Sequence, residues 1–259
     1  MQKISIITIN YNNLKGLKKT MTSVLAQTWQ AFEYIVIDGG SKDGSTAYIE
    51  SQSQHIDYWI SEPDKGVYYA MNKGIKKAKG EYVLFLNSGD HFYSKKVLEN
   101  NIQFVNETDI IYFNLQVIEY NSSFIKSYPK ELSFSFFVED TLPHPATFIK
   151  RDAFKKNNFY KEDFKILSDW KFFIDAICKY NLSYTKIDET LSTFYIGGMS
   201  SNIENRSLKF NERQQVLENE YKVFMKDIDD TLIHKKIAEN LRKSRIIKLL
   251  VKLRFLNKF

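Results

Sequence analysis

The chain has 259 residues, of which 43% are hydrophobic and 26% are charged, and its formal net charge is +6. This length suits one large domain or a domain with an appendage, and the abundance of core-forming residues excludes a disordered or fibrous chain. A single cysteine excludes a disulfide scaffold and a zinc site built from several thiolates.

The positive charge is concentrated at the C-terminal end. No acidic residue follows Glu239, and the last twenty residues carry seven Lys and Arg side chains, which leaves 30 basic and 31 acidic residues in the rest of the chain. A nucleic-acid-binding protein usually spreads its basic residues over a folded face, so no nucleic-acid partner is expected. The N-terminus lacks the pattern of a signal peptide and no run approaches ~18 uncharged apolar residues, which predicts a cytoplasmic protein without a spanning helix.

The first ninety residues alternate strand and helix patterns. Strands are predicted over residues 3–9, 34–37, 58–60 and 81–86, and the intervening segments show helical spacing of their apolar residues. Strands that alternate with helices indicate a parallel sheet with right-handed crossovers. We therefore predict an α/β fold.

The second half has a different pattern. The sequence predicts a hairpin over residues 109–128, a strand at 147–150, a helix at 169–180, and edge strands at 184–187 and 192–196. From Arg206 onward the pattern is helical. Because neither a repeat nor a linker marks a second α/β domain, we expect one domain over residues 1–205 and a helical extension over 206–259.

Polar clusters follow three of the predicted strands, at residues 8–11, 38–40 and 87–90. Ligands of open parallel sheets bind outside the carboxyl ends of the strands, so Asp38 and Asp90 would face one crevice. Each cluster alone is compatible with an ordinary turn, but three successive strand ends favour a binding site. The absence of a P-loop and of a dinucleotide fingerprint argues against a kinase or an ordinary NAD enzyme.

Four segments resemble the family 2 inverting glycosyltransferases: IITINYN (residues 6–12), DGGSKDGS (38–45), SEPDKGVYYAMNKG (61–74) and GEYVLFLNSGD (80–90). The similarity covers roughly residues 3–200 and is closest to the bacterial branch that makes O-antigen and capsule. It implies the GT-A fold, a Rossmann-like, mostly parallel sheet with flanking helices. It also implies a nucleotide-sugar donor, usually UDP-linked, and inversion at the anomeric carbon.

The resemblance also implies roles for individual residues. Asn72 would lie on the sugar side, and Asp90 would take the place of the last carboxylate of the family's Asp-x-Asp motif, which binds Mg²⁺ or Mn²⁺. Because Asn87-Ser88-Gly89 precede it, only one carboxylate remains, and an amide oxygen is a weaker ligand for such cations. The residues implied to contact the nucleotide are Thr8, Asn10, Tyr11, Asp38, Asp64 and Lys65.

The segment Leu167-Ser168-Asp169-Trp170 matches the family's acidic pair, in which the Asp is the general base and Ser168 replaces the commoner Glu. A direct displacement needs a carboxylate opposite the leaving diphosphate to take the proton of the acceptor hydroxyl. Ser168 and Asp169 are equally suited to cap the next helix. Trp170 is expected on the acceptor side.

Two further features match the family pattern less specifically. His144 lies where the family often has a His near the acceptor or diphosphate, although a lone histidine is commonly a packed turn residue. The loop containing Gly197, Gly198 and Ser200 resembles a flexible loop over the diphosphate, and it equally suits a plain strand-to-helix connection.

The C-terminal segment has a basic, amphipathic pattern, with Ile246, Leu249 and Leu253 on one helical face and Arg245 and Lys248 roughly opposite. Such a helix can lie in an anionic membrane interface. The alternative is a helix packed on the catalytic domain or on a second subunit of a homo-oligomer. A membrane position suits the family, whose O-antigen and capsule members extend lipid-linked glycans at the inner leaflet.

The sequence therefore predicts an inverting glycosyltransferase of surface polysaccharide synthesis, peripherally bound to the cytoplasmic membrane. It would move a hexosyl or N-acetylhexosaminyl group from a UDP-linked donor to a hydroxyl of a glycan acceptor, with Mg²⁺ or Mn²⁺. The alternative is a non-catalytic nucleotide- or sugar-binding module. A nucleotidyltransferase is disfavoured because no Gly-rich triphosphate loop follows the first strand.

Overall fold

A computed structural model of the protein describes residues 3–120, 122–198 and 201–257. Its strands are β1 (Ile4–Asn10), β2 (Phe32–Asp38), β3 (Tyr58–Ser61), β4 (Tyr82–Phe85), β5 (His91–Phe92), β6 (Ile110–Glu119), β7 (Ser122–Lys126), β8 (Thr147–Lys150) and β9 (Tyr184–Tyr195). Its helices are α1 (Leu14–Leu25), α2 (Ser45–Ser51), α3 (Val67–Lys77), α4 (Val97–Asn101), α5 (Phe134–Glu139), α6 (Arg151–Asn157), α7 (Ser168–Cys178), α8 (Arg206–Glu220), α9 (Lys222–Lys243) and α10 (Arg245–Lys252).

These strands form one mixed sheet in the order β3-β2-β1-β4-β8-β6-β9-β5, with β7 paired to β6. Strands β1 to β4 are mutually parallel where they pair, and β6 pairs with β9 in parallel as well. Strands β1 and β2 are buried along their whole length, as expected for a parallel sheet covered on both faces. The predicted α/β fold is confirmed.

The parallel register brings the strand ends that carry the polar clusters to one edge of the sheet. Asn10 at the end of β1 is in register with Asp38 at the end of β2, and Asp38 is in register with Ser61 of β3. The β4 segment ends nearby, because the N–H of Ser88 donates to the carbonyl of Ile9 at 3.0 Å. One crevice therefore receives side chains from four strands.

The second half differs from the sequence prediction at one strand. The two edge strands predicted around residues 184–196 are a single strand, β9, which lies inside the sheet between β6 and β5. Its pairing with β6 shifts register on either side of Asn114. The polar Asp188-Glu189 pair lies between Lys186 and Thr190, where the register shifts, and it does not interrupt the strand.

The chain divides into two compact units, Met1–Glu212 and Arg213–Phe259. The first contains the sheet, and it ends within α8, later than residue 205 at which the sequence predicts a boundary. The second contains α9 and α10. Within the described ranges, no helix is long and apolar enough to span a bilayer.

Candidate active site

The nucleotide end of the crevice is organised around Asp38. This carboxylate is fully buried and accepts hydrogen bonds from Asn10 Nδ2 at 2.7 Å, Ser41 Oγ at 2.6 Å and Ser61 Oγ at 2.6 Å. Burial alone would raise the pKa of Asp38, but the donors from Ser41, Ser61 and Asn10 outweigh it and hold the pKa below its usual value. Asp38 is therefore an ionised anchor for three strand ends and the turn after β2.

Tyr11 lies in the open beside this anchor, with 66% of its surface exposed. A methyl group added to Gly39 would lie 3.1 Å from Cδ2 of Tyr11 and 2.8 Å from Oδ2 of Asp64. The missing side chain at Gly39 thus brings the Tyr11 ring and the Asp64 carboxylate close to the same stretch of backbone. An exposed aromatic ring beside a glycine is a surface on which a planar base can stack.

Ser88 joins this end of the crevice to the next cluster. Its hydroxyl donates to Asn10 Oδ1 at 2.6 Å, and its carbonyl accepts from Asn13 Nδ2 at 3.0 Å. Asn10 is thereby fixed on both sides, since its amide nitrogen donates to Asp38. The β4 segment and the nucleotide end form one hydrogen-bonded unit.

A second cluster lies around Asp169, at the start of α7. Its Oδ2 lies 3.1 Å from His144 Nδ1, and its Oδ1 accepts from the Tyr68 hydroxyl at 2.9 Å and from the Trp170 N–H at 2.9 Å. Burial would raise the pKa of Asp169, but the hydrogen bond and charge of His144, with Tyr68, hold it below its usual value. Asp169 accepts the N–H of Trp170 within the first turn of α7 and also contacts two side chains from elsewhere in the fold. The cap expected from Ser168 and Asp169 is not formed, because the N-cap position is Leu167 and the Ser168 hydroxyl is buried without a partner among the described residues.

His144 connects Asp169 to the β4 segment. It lies in a short 3₁₀ turn, His144–Ala146, and its Nε2 is 3.3 Å from Asn87 Nδ2. With the proton on Nδ1, the ring donates to Asp169 and accepts from the Asn87 amide. Burial would lower the pKa of His144, but the bond and charge of Asp169, with the charge of Asp90, raise it.

Asp90 lines the same cavity as His144 and Asp169, and its carboxylate is unpaired among the described residues. It is only 7% exposed, and among the described residues no donor reaches its carboxylate oxygens. Burial raises its pKa to about 7, against the opposing charges of His144 and Lys19. The side-chain oxygen of Asn87 is also buried without a hydrogen-bond partner.

The Asp90 carboxylate and the Asn87 side-chain oxygen decide whether the site fits a divalent cation. Mg²⁺ is commonly held by one or two carboxylates together with substrate phosphates and water. The described residues contain no cluster of three or more His, Cys, Asp or Glu side chains suited to a metal. The residues fit a cation that a bound diphosphate would share, and Asp90 and Asn87 are the residues that would hold it.

The second cluster borders a cavity of about 380 Å³. The side chains of Tyr68, Asn87, Asp90, His144 and Asp169 line it, and so do the neighbouring Gly197 and Gly198. Gly197 has φ +132°, and within the described part of the chain no atom lies within 4 Å of the position of a Cβ on Gly197 or Gly198. The cavity therefore has an open backbone loop on one side and titratable groups on the other.

The structure brings most of the sequence-predicted residues to the crevice, but not all of them. Thr8 is buried in the sheet, where its hydroxyl donates to the carbonyl of Leu86, and Trp170 is buried with Nε1 bound to the carbonyl of Phe137.

Asn72 is buried as well, and its amide holds the backbone of Tyr160. Lys65 is exposed on the loop before α3. Ser200 lies outside the described residues.

Sequence reasoning missed Ser41, Ser61 and Tyr68 as site residues. Tyr68 has the spacing of a core residue of α3, and it is buried, but its hydroxyl reaches Asp169. Ser61 could have been found because it ends β3 in the same way that Asp38 ends β2. No local signal identifies Tyr68, because its partner lies 101 positions away in the sequence.

Comparison with known proteins decides the family. Residues 5–174 match the model of Glycosyl transferase family 2. The chain belongs to this family. An uncharacterized glycosyltransferase of Mycobacterium tuberculosis is 34% identical over 178 residues, which are 67% of this chain and 68% of that protein. A PGL/p-HBAD biosynthesis glycosyltransferase of Mycobacterium bovis is 27% identical, over 78% of this chain and 80% of that protein.

Solved structures confirm the GT-A-like architecture of this family 2 member. S. aureus TarS 1-349 in complex with UDP-GlcNAc superposes with a TM-score of 0.66 at 20% identity, over 83% of this chain and 65% of that one. The mannosyltransferase PcManGT from Pyrobaculum calidifontis, in complex with GDP-Man and Mn²⁺, gives a TM-score of 0.58 at 12% identity, over 77% and 58%. The chain thus spans less than two thirds of either solved chain.

Proposed function

We propose that the protein is an inverting glycosyltransferase that moves a sugar from a UDP-linked donor to a hydroxyl of a glycan acceptor. The observation that carries the proposal is that Asp169, paired with His144, and Asp90, which is unpaired, line one cavity. The first is suited to proton transfer and the second to a cation or a diphosphate. Asp38 and Tyr11 anchor and border the adjoining crevice, where the nucleoside would lie.

The donor assignment is supported by the neighbours and by the crevice. TarS binds UDP and UDP-GlcNAc in its solved complexes, whereas PcManGT binds GDP-Man. In this chain the Tyr11 ring would stack on the base, and the ordered turn after Asp38 would present backbone groups to base and ribose. A sugar on the diphosphate would then reach the cavity lined by Asp90 and Asp169.

Asp169 would act as the general base. The acceptor hydroxyl attacks the anomeric carbon as the bond from that carbon to the diphosphate oxygen breaks, and the hydroxyl proton passes to Oδ2 of Asp169. A carboxylate offers about four acceptor positions, and three donors occupy Asp169, so one position on Oδ2 remains. The lowered pKa keeps this carboxylate ionised before the reaction. His144 orients it, and a cation held by Asp90 and Asn87 would neutralise the diphosphate.

The experiment is an assay of nucleotide release with UDP-linked and GDP-linked sugars, with and without glycan acceptors. Asp169→Asn keeps the size of the side chain but does not accept the proton, so transfer should fall ~10²–10⁴-fold while UDP affinity stays at the parent value. Asp163→Asn, an exposed substitution on the preceding loop, is the matched control. Transfer by Asp169→Asn within threefold of the parent would reject this base, and binding of UDP without turnover by the parent would indicate a non-catalytic module.

We also propose that α10 binds the anionic inner leaflet, where a lipid-linked glycan acceptor would lie. Ile246 is 71% exposed, and Leu249 and the C-cap residue Leu253 are each 55% exposed. These apolar side chains share one face of the segment, and Arg245 and Lys248 flank that face. Apolar burial and basic charge act together at such a surface, and each basic residue adds about 1 kcal/mol. This charge favours an anionic bilayer over a neutral protein surface.

Vesicle sedimentation tests the membrane proposal. The full chain should sediment with vesicles that contain phosphatidylglycerol at low salt and less so at high salt, and the triple variant Ile246→Ser, Leu249→Ser, Leu253→Ser should remain in the supernatant. A parent protein that stays in the supernatant would reject the proposal. If that protein is also a dimer in ultracentrifugation and the triple variant is a monomer, the face belongs to a second copy of the chain.

A further inference from the structure

Glu212 of α8 has an unusual set of partners for a helix residue. Its carboxylate accepts the backbone N–H groups of three consecutive residues: Lys165 on Oε1 at 2.6 Å, and Ile166 and Leu167 on Oε2 at 3.2 and 2.9 Å. The side chain is 8% exposed. Three converging amides and deep burial make this a built contact and not a chance surface pairing.

The three amides lie directly before the candidate base. Leu167 is the N-cap residue of α7, and its apolar side chain makes no capping hydrogen bond to that helix. The first N–H groups of a helix have no partners within the helix. The Glu212 carboxylate accepts the N–H of Leu167, two residues before Asp169. Lys165 and Ile166 also line the cavity.

The backbone before α7 is also held by residues of α3. The Asn72 amide donates to the carbonyl of Tyr160 at 2.8 Å and accepts its N–H at 3.0 Å. The Tyr68 hydroxyl, which has one proton and donates to Asp169 Oδ1, also lies against the carbonyl oxygen of Ile166. The backbone leading to Asp169 is thus held at Tyr160 by Asn72 of α3 and at the N–H groups of residues 165–167 by Glu212 of α8. Removing either set of bonds would leave the segment held at one of these places only.

We propose that Glu212 is a positioning residue for Asp169, acting through the backbone of residues 165–167. The inference rests on the proposed function, since it concerns the geometry of the proposed base. Glu212 lies outside residues 5–174, which match the family model, so family membership does not supply this role. A misplacement of about 1 Å in a reacting group can cost ~10²-fold in rate, and loss of acceptor bonds to the backbone of residues 165–167 permits a shift of that size.

Glu212→Gln is the first test, because glutamine keeps the shape but places an NH₂ group against a backbone N–H. We expect the kcat for glycosyl transfer to fall ~10- to 100-fold, with the affinity for UDP within twofold of the parent. Glu218→Gln is the matched control, since Glu218 is an exposed residue of the same helix, and it should leave both quantities unchanged. Glu212→Asp, which shortens the side chain but keeps the charge, should fall between the parent and Glu212→Gln.

A double-mutant cycle with Asp169→Asn separates positioning from general loss of stability. If Glu212 acts through Asp169, then Glu212→Gln should reduce the residual rate of Asp169→Asn by less than threefold, because the group that it positions is already absent. Equal losses in both backgrounds would overturn the proposal. So would two Glu212 variants that lose stability but retain the parent kcat in their folded fraction, which would assign a structural role.

The outcomes also distinguish this inference from the proposed function. Loss of transfer in Asp169→Asn together with a parent-like kcat in Glu212→Gln would reject the role of Glu212 and leave the base assignment intact. Parent-like transfer in Asp169→Asn would reject the base and, with it, any positioning of that base by Glu212.

Discussion

The hydroxyl of Tyr68 lies 2.9 Å from Oδ1 of Asp169, although the two residues are 101 positions apart in the sequence. Tyr68 belongs to α3 and Asp169 to the start of α7, so this bond ties the helix after the nucleotide loop to the proposed base. A buried hydroxyl that donates to an ionised carboxylate forms a charge-assisted bond. Its loss would release one side of Asp169.

We therefore expect Tyr68→Phe to lower the kcat for transfer by about 10- to 100-fold, the equivalent of roughly 1.5–3 kcal/mol. The hydroxyl of Tyr68 also lowers the pKa of Asp169, so the acidic limb of the pH profile of kcat should move to higher pH in the variant. Tyr69→Phe, a substitution at the adjacent, partly exposed tyrosine, is the control. Unchanged kcat in Tyr68→Phe would show that His144 alone suffices to orient Asp169.

The parallel half of the fold was predictable from local patterns. Residues 4–10 and 32–38 are mostly apolar and end in polar residues, and the parallel register aligns those ends. The clustering of Asp38 with Asn10 follows from this register. Local patterns do not contain the order of the strands, and it is this order that brings the hydroxyls of Ser61 and Ser88 to the cluster.

The Asp169 cluster was less predictable for a physical reason. Its partners come from α3, from a 3₁₀ turn at His144 and from the backbone N–H of Trp170, and only the last is local. Sequence spacing classifies Tyr68 as a core residue, which it is, but does not show where its hydroxyl points. The same limit explains Asn72, whose amide was expected near the sugar and instead holds the backbone of Tyr160.

Asp38 provides a prediction about the nucleotide end. Asp38→Asn removes the charge that accepts from Asn10, Ser41 and Ser61, so the turn that borders the crevice should loosen. We expect the Kd for UDP, measured by calorimetry, to rise about 10- to 100-fold, corresponding to roughly 1.5–3 kcal/mol.

Glu33→Gln is the control for Asp38→Asn. Glu33 is a buried carboxylate on the same strand that accepts from Ser5 Oγ and Lys79 N–H. It lies near the start of β2 and not at the end of the strand that borders the crevice. If both variants lose stability to a similar extent but only Asp38→Asn loses UDP affinity, the effect is local to the site. Equal UDP affinity in the two variants would contradict the placement of the nucleotide beside Asp38.

Asp90 provides a prediction about stability and pH. An Asp whose pKa rises from 3.8 to about 7 on folding binds its proton more tightly in the folded state, so its contribution to stability falls as the pH rises from about 4 to 7. Above pH 7 the buried ionised carboxylate costs up to about 4 kcal/mol. Asp90→Asn should remove this cost.

Urea unfolding at pH 5, 7 and 8.5, in EDTA, checks the prediction for Asp90. The free energy of unfolding of Asp90→Asn should exceed that of the parent by an amount that grows from pH 5 to pH 7 and is nearly constant above it. Asp163→Asn, at an exposed carboxylate, should show no such growth. A difference between parent and Asp90→Asn that does not change with pH would mean that Asp90 is not buried as a carboxylate in solution.

The last prediction concerns the cation. Asp90 is the one carboxylate at the end of the β4 segment, and the neighbouring Asn87 offers a buried amide oxygen without a partner. Hard cations bind carboxylate oxygens more strongly than amide oxygens, so Asn87→Asp should tighten Mn²⁺ binding. Because two carboxylates that share a site repel each other, this variant should also be less stable than the parent without metal.

Electron paramagnetic resonance of free Mn²⁺, with and without UDP, measures the affinity, and thermal unfolding in EDTA measures the stability. Asp90→Asn should weaken Mn²⁺ binding in the same assay. Tighter binding in Asn87→Asp and weaker binding in Asp90→Asn would support a shared cation, whereas equal Mn²⁺ affinity in all three proteins would mean that the cation is held by the diphosphate alone.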